Sequence, residues 1–384
     1  MHFDKEVLLL DKKSGVLLMD PVDAGLLDEL VAAWVNRHRL VPPRIVEKIV
    51  DASPGRFSGL VLGDVRCHEL RLLLACYTAW LMVVDDRLES ESSESIFRVF
   101  DRTTRDPFAN QALQALGDLT RRGRSLVKHP ERWAGRFARN VDNYLLGCMV
   151  EANHRLQMAT PAFDQYQDLR LSTSGAMPFL DILDLAHQED LPGGFHERRL
   201  VEDFRRLAGF VFAWANDIIG FRSCRTEADK EDRLNLVAVV AKELGLEPGD
   251  ARKTAFRRVY QPEVARLSDF MDRLEVLLGG SDPASKGVLS RYFQIIARAL
   301  DGVVAWHVRS DRYQAESAVP VVLDDRGSAT PTPSRADGLA LVIPSSRDRD
   351  DGVPVPTEDV TPTGVRHQIG KLADRSRGHR SPRR

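Results

Sequence analysis

An all-α fold is predicted by three features of the sequence. Apolar residues recur at three- and four-residue intervals over most of the chain up to about Tyr313, which is the pattern of amphipathic helices. Strand-like alternation of apolar and polar residues is scarce in the same region. Short breaks that contain proline or glycine separate the helical segments, and they read VPP, HPER, EDLPGG, GLEPGD and GGSDPAS. About ten helices around one core are therefore expected.

The predicted helices follow one another in a clear order. An amphipathic segment, LLDELVAAWVNRHRL, comes first, and the most apolar run of the chain, Leu72 to Val84, follows it. That run has 13 residues, which is too short to span a bilayer and usual for a buried helix. The later segments with helical spacing are SESIFRVFDR, NQALQALGDLTRRGRSLV, RWAGRFARNVDNYLLGCMVEANHRL and VEDFRRLAGFVFAWANDII.

The C-terminal part of the chain differs in composition from the rest. Residues 314–384 contain no Phe, Trp or Tyr and are rich in Pro, Ser, Asp and Arg. Such a segment cannot bury enough apolar area to offset the entropy lost on ordering. We therefore predict an N-terminal segment over residues 1–24, a single helical domain over 25–313 and a disordered tail over 314–384.

The composition is that of an ordinary globular protein and argues against several functional classes. Hydrophobic residues make up 43% and charged residues 29%, and the formal net charge of -2 gives no overall field that would attract nucleic acid or an anionic membrane. The four cysteines form neither a CxxC pair nor the spacing of a zinc site. The N-terminus lacks the continuous apolar stretch of a signal peptide, so a cytoplasmic location is expected.

Three carboxylates, Asp85, Asp86 and Glu89, end the apolar run. If the helix continues through them, Asp85 and Glu89 lie one turn apart on one face. Carboxylates near a helix C-terminus oppose the helix dipole and repel one another, and a hard divalent cation such as Mg²⁺ would resolve both conflicts. From this motif alone, the alternative is that the helix simply reaches solvent here, since DDxxE strings are common on exposed helices.

A second polar motif opens at Asn216 within the stretch FVFAWANDIIGFRSCRTEADKEDRLNLV. With it the chain resembles the bacterial class I terpene synthases, which carry an aspartate-rich motif on one helix and an Asn-x-x-x-Ser-x-x-x-Glu metal motif on another. Arg170 lies 46 residues before Asn216, at the position of the family's diphosphate-sensing arginine. The family's C-terminal Arg-Tyr pair, preceded by a Trp, is matched by Trp306, Arg312 and Tyr313. The resemblance covers roughly residues 25–313.

The second motif departs from the family pattern. Counted strictly from Asn216, Gly220 and Cys224 stand at the Ser and Glu positions, and neither is a good Mg²⁺ ligand. Ser223 and Glu227 form an intact Ser-x-x-x-Glu three residues later. A regular helix would separate Asn216 and Ser223 by about 10.5 Å along its axis, too far for one ion. We therefore expect a distortion near Gly220, such as a π-bulge; the alternatives are an incomplete ligand set with waters, or a decayed motif.

The resemblance also implies which residues contact the diphosphate. Arg170 and Arg312 can each present a planar fork to phosphate oxygens, and Tyr313 can add a hydroxyl donor. Arg225, or Arg222 beside it, is expected to reach the same group from the second metal helix.

Further positions are implied for catalysis and for the cavity. Thr173 and Ser174 correspond to the family's positions after the sensing arginine, where a backbone carbonyl helps the diphosphate to depart. A cationic intermediate needs a dry cavity with aromatic faces. The aromatic residues expected to line it are Trp80, Phe179, Phe210 and Trp306, with Phe212 and Trp214 as further candidates.

The function implied is that of a class I terpene synthase, in which an all-α bundle surrounds a central active-site cavity. Three Mg²⁺ ions are expected to hold a linear isoprenyl diphosphate, C15 or C20, which is ionised and cyclised with release of pyrophosphate. An isoprenyl diphosphate synthase is one alternative, but Asn216 stands where such enzymes carry a second DDxxD motif. A catalytically impaired binding protein of the same fold is the other. A homodimer is a candidate assembly, and the product skeleton stays open.

Overall fold

The computed structural model describes most of the helical domain and two short pieces beyond it. The described residues are 21–90, 107–157, 160–187, 195, 198–221, 233–279, 281–310, 312–313, 321–322 and 339–340. The predicted helix over SESIFRVFDR and most of the predicted N-terminal segment and tail lie outside these residues. The boundaries proposed at residues 24 and 313 therefore stay predictions.

Six helices make up the described first half of the chain. Their bounds are α1 (Pro21–His38), α2 (Pro43–Asp51), α3 (Pro54–Leu62), α4 (His68–Ser90), α5 (Pro107–Arg124) and α6 (Pro130–Leu156). All of them except α4 begin at a proline, which suits the first turn because the missing N–H has no partner there in any case. The apolar run predicted as a buried helix forms the middle of α4.

The second half is also helical. Its elements are α7 (Phe163–Thr173), α8 (Ala176–Leu183), a 3₁₀ turn (Asp184–Ala186), α9 (Arg199–Gly220), α10 (Leu236–Leu244), α11 (Pro248–Ala255), a π-helix (Phe256–Tyr260), α12 (Gln261–Asp272), α13 (Leu274–Leu277) and α14 (Pro283–Arg309). Two strands of two residues each, β1 (Val321–Val322) and β2 (Leu339–Ala340), pair in parallel with Val321 opposite Leu339. The predicted all-α architecture is confirmed.

One apolar core runs through the bundle, and α14 packs closely against α3 within it. A side chain at Gly302 would meet the Leu60 carbonyl oxygen at 2.3 Å, so the two backbones can approach only because this residue is glycine. The Trp306 indole N–H and the Ser310 hydroxyl both donate to the Ala52 carbonyl, at 2.9 and 3.3 Å. Helix α14 is thereby fastened to the connection between α2 and α3.

A helix break at Gly175 separates α7 from α8. Gly175 has a φ of 69°, in the left-handed region that favours glycine. Its carbonyl accepts a hydrogen bond from the buried Tyr77 hydroxyl of α4 at 2.9 Å. The break turns the chain so that the end of α7 and the start of α8 face α4 across a small space.

Helix α9 ends at Gly220, which corrects the expected π-bulge there. Phe221 leaves the helical region, with φ -59° and ψ 124°. The Arg252 guanidinium donates to the Phe221 carbonyl and lies over the Phe221 ring. Within the described ranges, the π-helix lies in the segment that starts at Phe256 instead. The extended backbone of Phe221 therefore ends the helix at the point where the π-bulge was expected.

A closed ion-pair network fixes α8 and α9 in the core. The Arg205 guanidinium donates to Asp181 at 2.6 Å, to Asp184 at 3.1 Å and to the Tyr292 hydroxyl at 2.9 Å. Arg136 of α6 donates to the same two carboxylates, at 2.9 and 2.6 Å. Each buried charge therefore has an opposite partner within the protein.

None of the helices in the described ranges has both the length and the apolar character needed to cross a bilayer.

Candidate active site

A cavity lies between α3, α4, the α7–α8 break, α9 and α14. Its apolar wall is formed by Phe57, Tyr77, Leu81, Met82, Phe179, Phe212 and Trp306. Its polar wall is formed by Thr78, Asp85, Arg170, Thr173, Ser174, Asn216, His307, Arg312 and Tyr313. The structure thus brings together around one space ten residues that the sequence analysis assigned to a site: Asp85, Arg170, Thr173, Ser174, Phe179, Phe212, Asn216, Trp306, Arg312 and Tyr313.

The face of α4 that meets the cavity carries the first acidic motif at its end. Tyr77, Leu81 and Asp85 follow one another at four-residue intervals along this face. Asp86 is exposed, and its carboxylate accepts two hydrogen bonds from the Arg312 guanidinium at 3.2 and 2.6 Å. Glu89 belongs to α4, but its side chain lies outside the description. The acidic motif therefore stands at the exposed end of the cavity.

Arg170 lies at the centre of the polar wall. Its Nη2 donates to Asn216 Oδ1 at 2.7 Å, and its Nε donates to Asp217 Oδ1 at 2.8 Å. Burial alone would lower the pKa of Arg170, but the adjacent Asp217 carboxylate raises the pKa well above its ordinary value. The guanidinium therefore stays charged, and it lines the cavity while Asp217 and Asn216 bind it.

Asp217 holds Arg170 in place from behind. Its second carboxylate oxygen accepts from the Tyr166 hydroxyl at 2.6 Å and from the Leu236 backbone N–H at 3.1 Å. Asn235 in turn donates to the Asp217 backbone carbonyl at 3.1 Å. This buried carboxylate therefore ties the end of α9 to α7 and to the start of α10.

Asn216 contacts three groups of the site. Besides accepting from Arg170, its Nδ2 lies 3.0 Å from the Tyr313 hydroxyl and 3.1 Å from His307 Nε2. The other ring nitrogen of His307 lies 2.8 Å from the Val303 carbonyl. Burial lowers the pKa of His307 to about 4, so the imidazole is neutral at neutral pH.

Three aromatic residues named as candidates for the cavity wall, Trp80, Phe210 and Trp214, lie elsewhere, which corrects that part of the prediction. Trp80 faces α5, where its indole N–H donates to the Ala112 carbonyl at 3.0 Å. Phe210 stacks on Trp214, with ring centroids 5.6 Å apart, and Arg206 lies over the Phe210 ring. Each residue sits on a core helix but on the side turned away from the cavity.

The displaced part of the second metal motif lies in a segment outside the described residues. Ser223, Arg225 and Glu227 lie outside the described residues, as does Arg222. Their assignment to metal or diphosphate binding stays a prediction.

Sequence reasoning did not assign several residues of the cavity wall, among them Tyr77, His307 and Phe57. Tyr77 could have been found, because it lies two turns before Asp85 on the same helix. His307 directly follows Trp306 in the matched C-terminal motif and carries a second signal, a titratable ring in an apolar helix. No signal in the sequence points to Phe57, whose contact with Trp306 at 5.1 Å between centroids spans almost the whole domain.

The donor set of the site suits Mg²⁺ better than a softer metal. The described residues contain no cluster of three or more His, Cys, Asp or Glu side chains that could hold an ion alone. Asp85, Asp86 and Asn216 offer only carboxylate and amide oxygens, the ligand type that Mg²⁺ prefers. Mg²⁺ usually keeps waters and takes substrate phosphate oxygens as well, so an incomplete protein set fits it.

Comparison with known proteins agrees with this geometry. Residues 76–261 match the family described as terpene synthase family 2, C-terminal metal binding. The chain is 28% identical over 301 residues to 10-epi-cubebol synthase of Sorangium cellulosum, covering 74% of this chain and 91% of that protein. It is 26% identical over 231 residues to a (2E,6E)-farnesyl diphosphate-cyclizing (+)-T-muurolol synthase of Roseiflexus castenholzii, covering 57% and 69%.

The fold is also shared with solved structures. The structure of 2-methylisoborneol synthase from Streptomyces coelicolor, in complex with Mg²⁺ and 2-fluoroneryl diphosphate, superposes with a TM-score of 0.63 at 20% identity. The match covers 78% of this chain and 95% of that one. Germacradien-4-ol synthase from Streptomyces citricolor gives a TM-score of 0.59, with 76% and 97% covered. Together with the residues gathered around the cavity, these matches show that the chain belongs to the bacterial class I terpene synthases.

Proposed function

We propose that the chain is a Mg²⁺-dependent sesquiterpene synthase that ionises farnesyl diphosphate and cyclises the resulting C15 cation. The observation that supports this most strongly is one cavity that is lined both by charged and amide groups and by aromatic rings. The C15 substrate is favoured because one relative is named as cyclizing (2E,6E)-farnesyl diphosphate and another is named a sesquiterpene synthase.

The polar wall binds the diphosphate in this proposal. Arg170 and Arg312 present guanidinium forks to its oxygens, and the Tyr313 hydroxyl donates a further hydrogen bond. Asp85, Asp86 and Asn216 hold Mg²⁺, together with Glu89, Ser223 and Glu227. When bound, Mg²⁺ neutralises the negative charge of the departing pyrophosphate.

Two of these groups are already engaged with arginines. Asp86 pairs with Arg312, and Asn216 accepts from Arg170. Binding of the charged substrate therefore exchanges partners, since the arginines turn to phosphate oxygens as the acidic and amide oxygens turn to the cation. The exchange keeps every charge paired, which limits the cost of desolvation.

The apolar wall protects the cation. Phe179 lies 6.0 Å from Phe57 and 5.1 Å from Phe212, and Phe57 lies 5.1 Å from Trp306, all between ring centroids. Ring faces attract a cation, and a dry wall prevents its early capture by water. Thr173 and Ser174, at the helix break, stay candidates for the carbonyl that helps the diphosphate to leave.

Three other parts of the assignment are consistent with this function and remain predictions. They are the binding of three Mg²⁺ ions, assembly into a homodimer and a cytoplasmic location.

The test is to incubate the purified chain with geranyl, farnesyl and geranylgeranyl diphosphate, with and without Mg²⁺. Pyrophosphate release and extracted products are measured together. A cyclic C15 product that requires Mg²⁺ is expected, and Asp85→Asn should abolish it. A cyclic C20 product would correct the chain length. Absence of Mg²⁺-dependent pyrophosphate release from all three substrates would overturn the proposal.

A further inference from the structure

A chain of hydrogen bonds links α14 to the polar wall of the cavity. It runs from the Val303 carbonyl to His307 Nδ1 at 2.8 Å and from His307 Nε2 to Asn216 Nδ2 at 3.1 Å. It continues from Asn216 Oδ1 to Arg170 Nη2 at 2.7 Å and from Arg170 Nε to Asp217 at 2.8 Å. The amide of Asn216 is therefore held from both sides.

The chemistry of the two ends fixes the direction of every bond in this chain. A backbone carbonyl only accepts, so the proton of His307 lies on Nδ1 and leaves Nε2 as an acceptor. A guanidinium only donates, so the Asn216 atom that faces Arg170 is the oxygen. The amide nitrogen consequently faces His307, which can accept from it.

The opposite orientation of the amide would be unfavourable at both contacts. Its NH₂ group would face the donor of Arg170, and its oxygen would face the lone pair of His307 Nε2. Neither of these two contacts would then be a hydrogen bond. His307 and Arg170 therefore both favour the same orientation of the Asn216 amide. The Tyr313 hydroxyl accepts from its NH₂ group at 3.0 Å.

We propose that His307 is a positioning residue for Asn216, which it keeps turned so that the amide oxygen faces the cavity. The inference rests on the proposed function, in which that oxygen binds Mg²⁺. When a substrate draws Arg170 away toward the diphosphate, His307 and Tyr313 still hold the NH₂ group. The oxygen is then the atom presented to the cation.

The location of His307 supports a specific role over simple packing. The residue is 2% exposed and contacts the rings of Trp306, Tyr313 and Phe212, with centroids 5.0, 4.8 and 6.3 Å away. A phenylalanine would fill this aromatic environment without a polar atom to satisfy. A histidine is useful here because its second nitrogen reaches the amide of Asn216.

The test compares three substitutions of His307. His307→Phe keeps a ring but loses both nitrogens, and His307→Asn keeps a short amide near Val303 but does not reach Asn216. His307→Gln restores an acceptor near the position of Nε2. Binding of Mn²⁺ in the presence of inorganic pyrophosphate is measured by electron paramagnetic resonance, and thermal unfolding checks that each variant is folded.

We expect the Phe and Asn variants to bind Mn²⁺ roughly 10- to 100-fold more weakly, as is usual when the partner of a metal ligand is removed. The Gln variant should stay within a few-fold of the original chain. If His307→Phe does not fold, the comparison of Asn with Gln still decides the matter. Equal Mn²⁺ affinity in the original chain and in the Phe and Asn variants would overturn the inference.

A second background separates orientation from general damage. Asn216→Asp presents an oxygen whichever way the group is turned, so His307→Phe should cause no further loss of Mn²⁺ affinity there. An equal loss in both backgrounds would overturn the positioning role. If the original chain forms a product but His307 has no effect on Mn²⁺ binding, only this inference fails. If the original chain neither binds Mn²⁺ with pyrophosphate nor releases pyrophosphate, the proposed function itself fails.

Discussion

The two ends of α9 carry similar buried charges but face different surroundings. Near its start, Arg205 pairs with Asp181 and Asp184, and every one of these groups is enclosed by protein. At its end, Asp217 pairs with Arg170, whose guanidinium also lines the cavity. Buried charge alone therefore does not distinguish a structural network from a functional one. The distinguishing property is that the Arg170 guanidinium is bound by Asp217 within the protein and also lines the cavity.

The largest expected effect follows from changing the open network. Arg170→Lys keeps a positive charge near Asp217 but loses the planar fork that binds two partners at once. We expect product formation to fall on the order of 10²- to 10³-fold, with a much smaller loss of stability. Steady-state pyrophosphate release and urea unfolding measure the two effects.

The matched control for this change is Arg205→Lys, the same substitution at the other end of α9. It should leave product formation by the folded protein unchanged. If both variants lose activity to the same extent, the distinction between the open and closed networks is wrong.

The closed network should dominate stability. Arg205→Met leaves Asp181 and Asp184 with Arg136 as their remaining guanidinium partner among the bonds described above. Loss of one partner from a buried ion pair typically lowers the free energy of unfolding by about 3–5 kcal/mol. Urea denaturation followed by circular dichroism measures this change. A variant as stable as the original chain would show that the network is not a stabilising element.

A smaller effect is expected between the two networks, where α9 carries Phe212 toward the cavity. Phe212→Leu removes a ring face from the wall, and a cation–π contact contributes about 0.5–2 kcal/mol, which corresponds to roughly 2- to 30-fold in rate. The product mixture should also change, as measured by gas chromatography. Phe210→Leu is the control because Phe210 stacks on Trp214 outside the cavity. Equal product changes in both variants would contradict the assignment of the wall.

The smallest effect is expected at a third Arg–Asp cluster, on α5. Burial raises the pKa of Asp118, but hydrogen bonds from Arg122 and Trp34 outweigh it and lower the pKa to about 2. Since this value lies below the 3.8 of a free aspartate, the stabilisation is present above about pH 4 and is lost as the pH falls toward 2.

Arg121 is the exposed partner of Asp118, and its substitution tests whether an exposed ion pair contributes less to stability than the buried networks do. Arg121 is 74% exposed, so Arg121→Ala should lower the free energy of unfolding by less than about 1 kcal/mol at pH 7. Urea unfolding at pH 7 and at about pH 2 should show the difference shrinking in acid, because Asp118 is protonated in the folded chain only near its lowered pKa of about 2. A deficit that grows as the pH falls would contradict the ionised state of Asp118.

Much of the fold could be predicted because the spacing of apolar residues within each segment is enough to indicate a helix. The buried run on α4 and the amphipathic pattern of α9 are examples. The end of α9 was harder to predict, because the family spacing suggested a helix that continued to Ser223. Gly220 is a stop signal on its own, and the structure follows that signal.

The candidate site was predictable where a motif fixes both residue type and spacing. Asp85, Arg170, Asn216 and Tyr313 are of this kind, and they meet at one cavity. Which aromatic residues face that cavity depends on the rotation of each helix in the bundle. Trp80 and Tyr77 lie less than one turn apart on α4, yet only Tyr77 reaches the cavity wall.

The bond between Trp306 and the Ala52 carbonyl joins residues 254 positions apart. During synthesis on a ribosome, α3 is complete long before α14 has been translated. Until then the backbone of Ala52 and the ring of Phe57 have no cover from the last helix. Such late, non-local contacts slow folding and expose apolar surface to other chains. Translation of α14 therefore supplies the part of the cavity wall that holds Trp306 and His307.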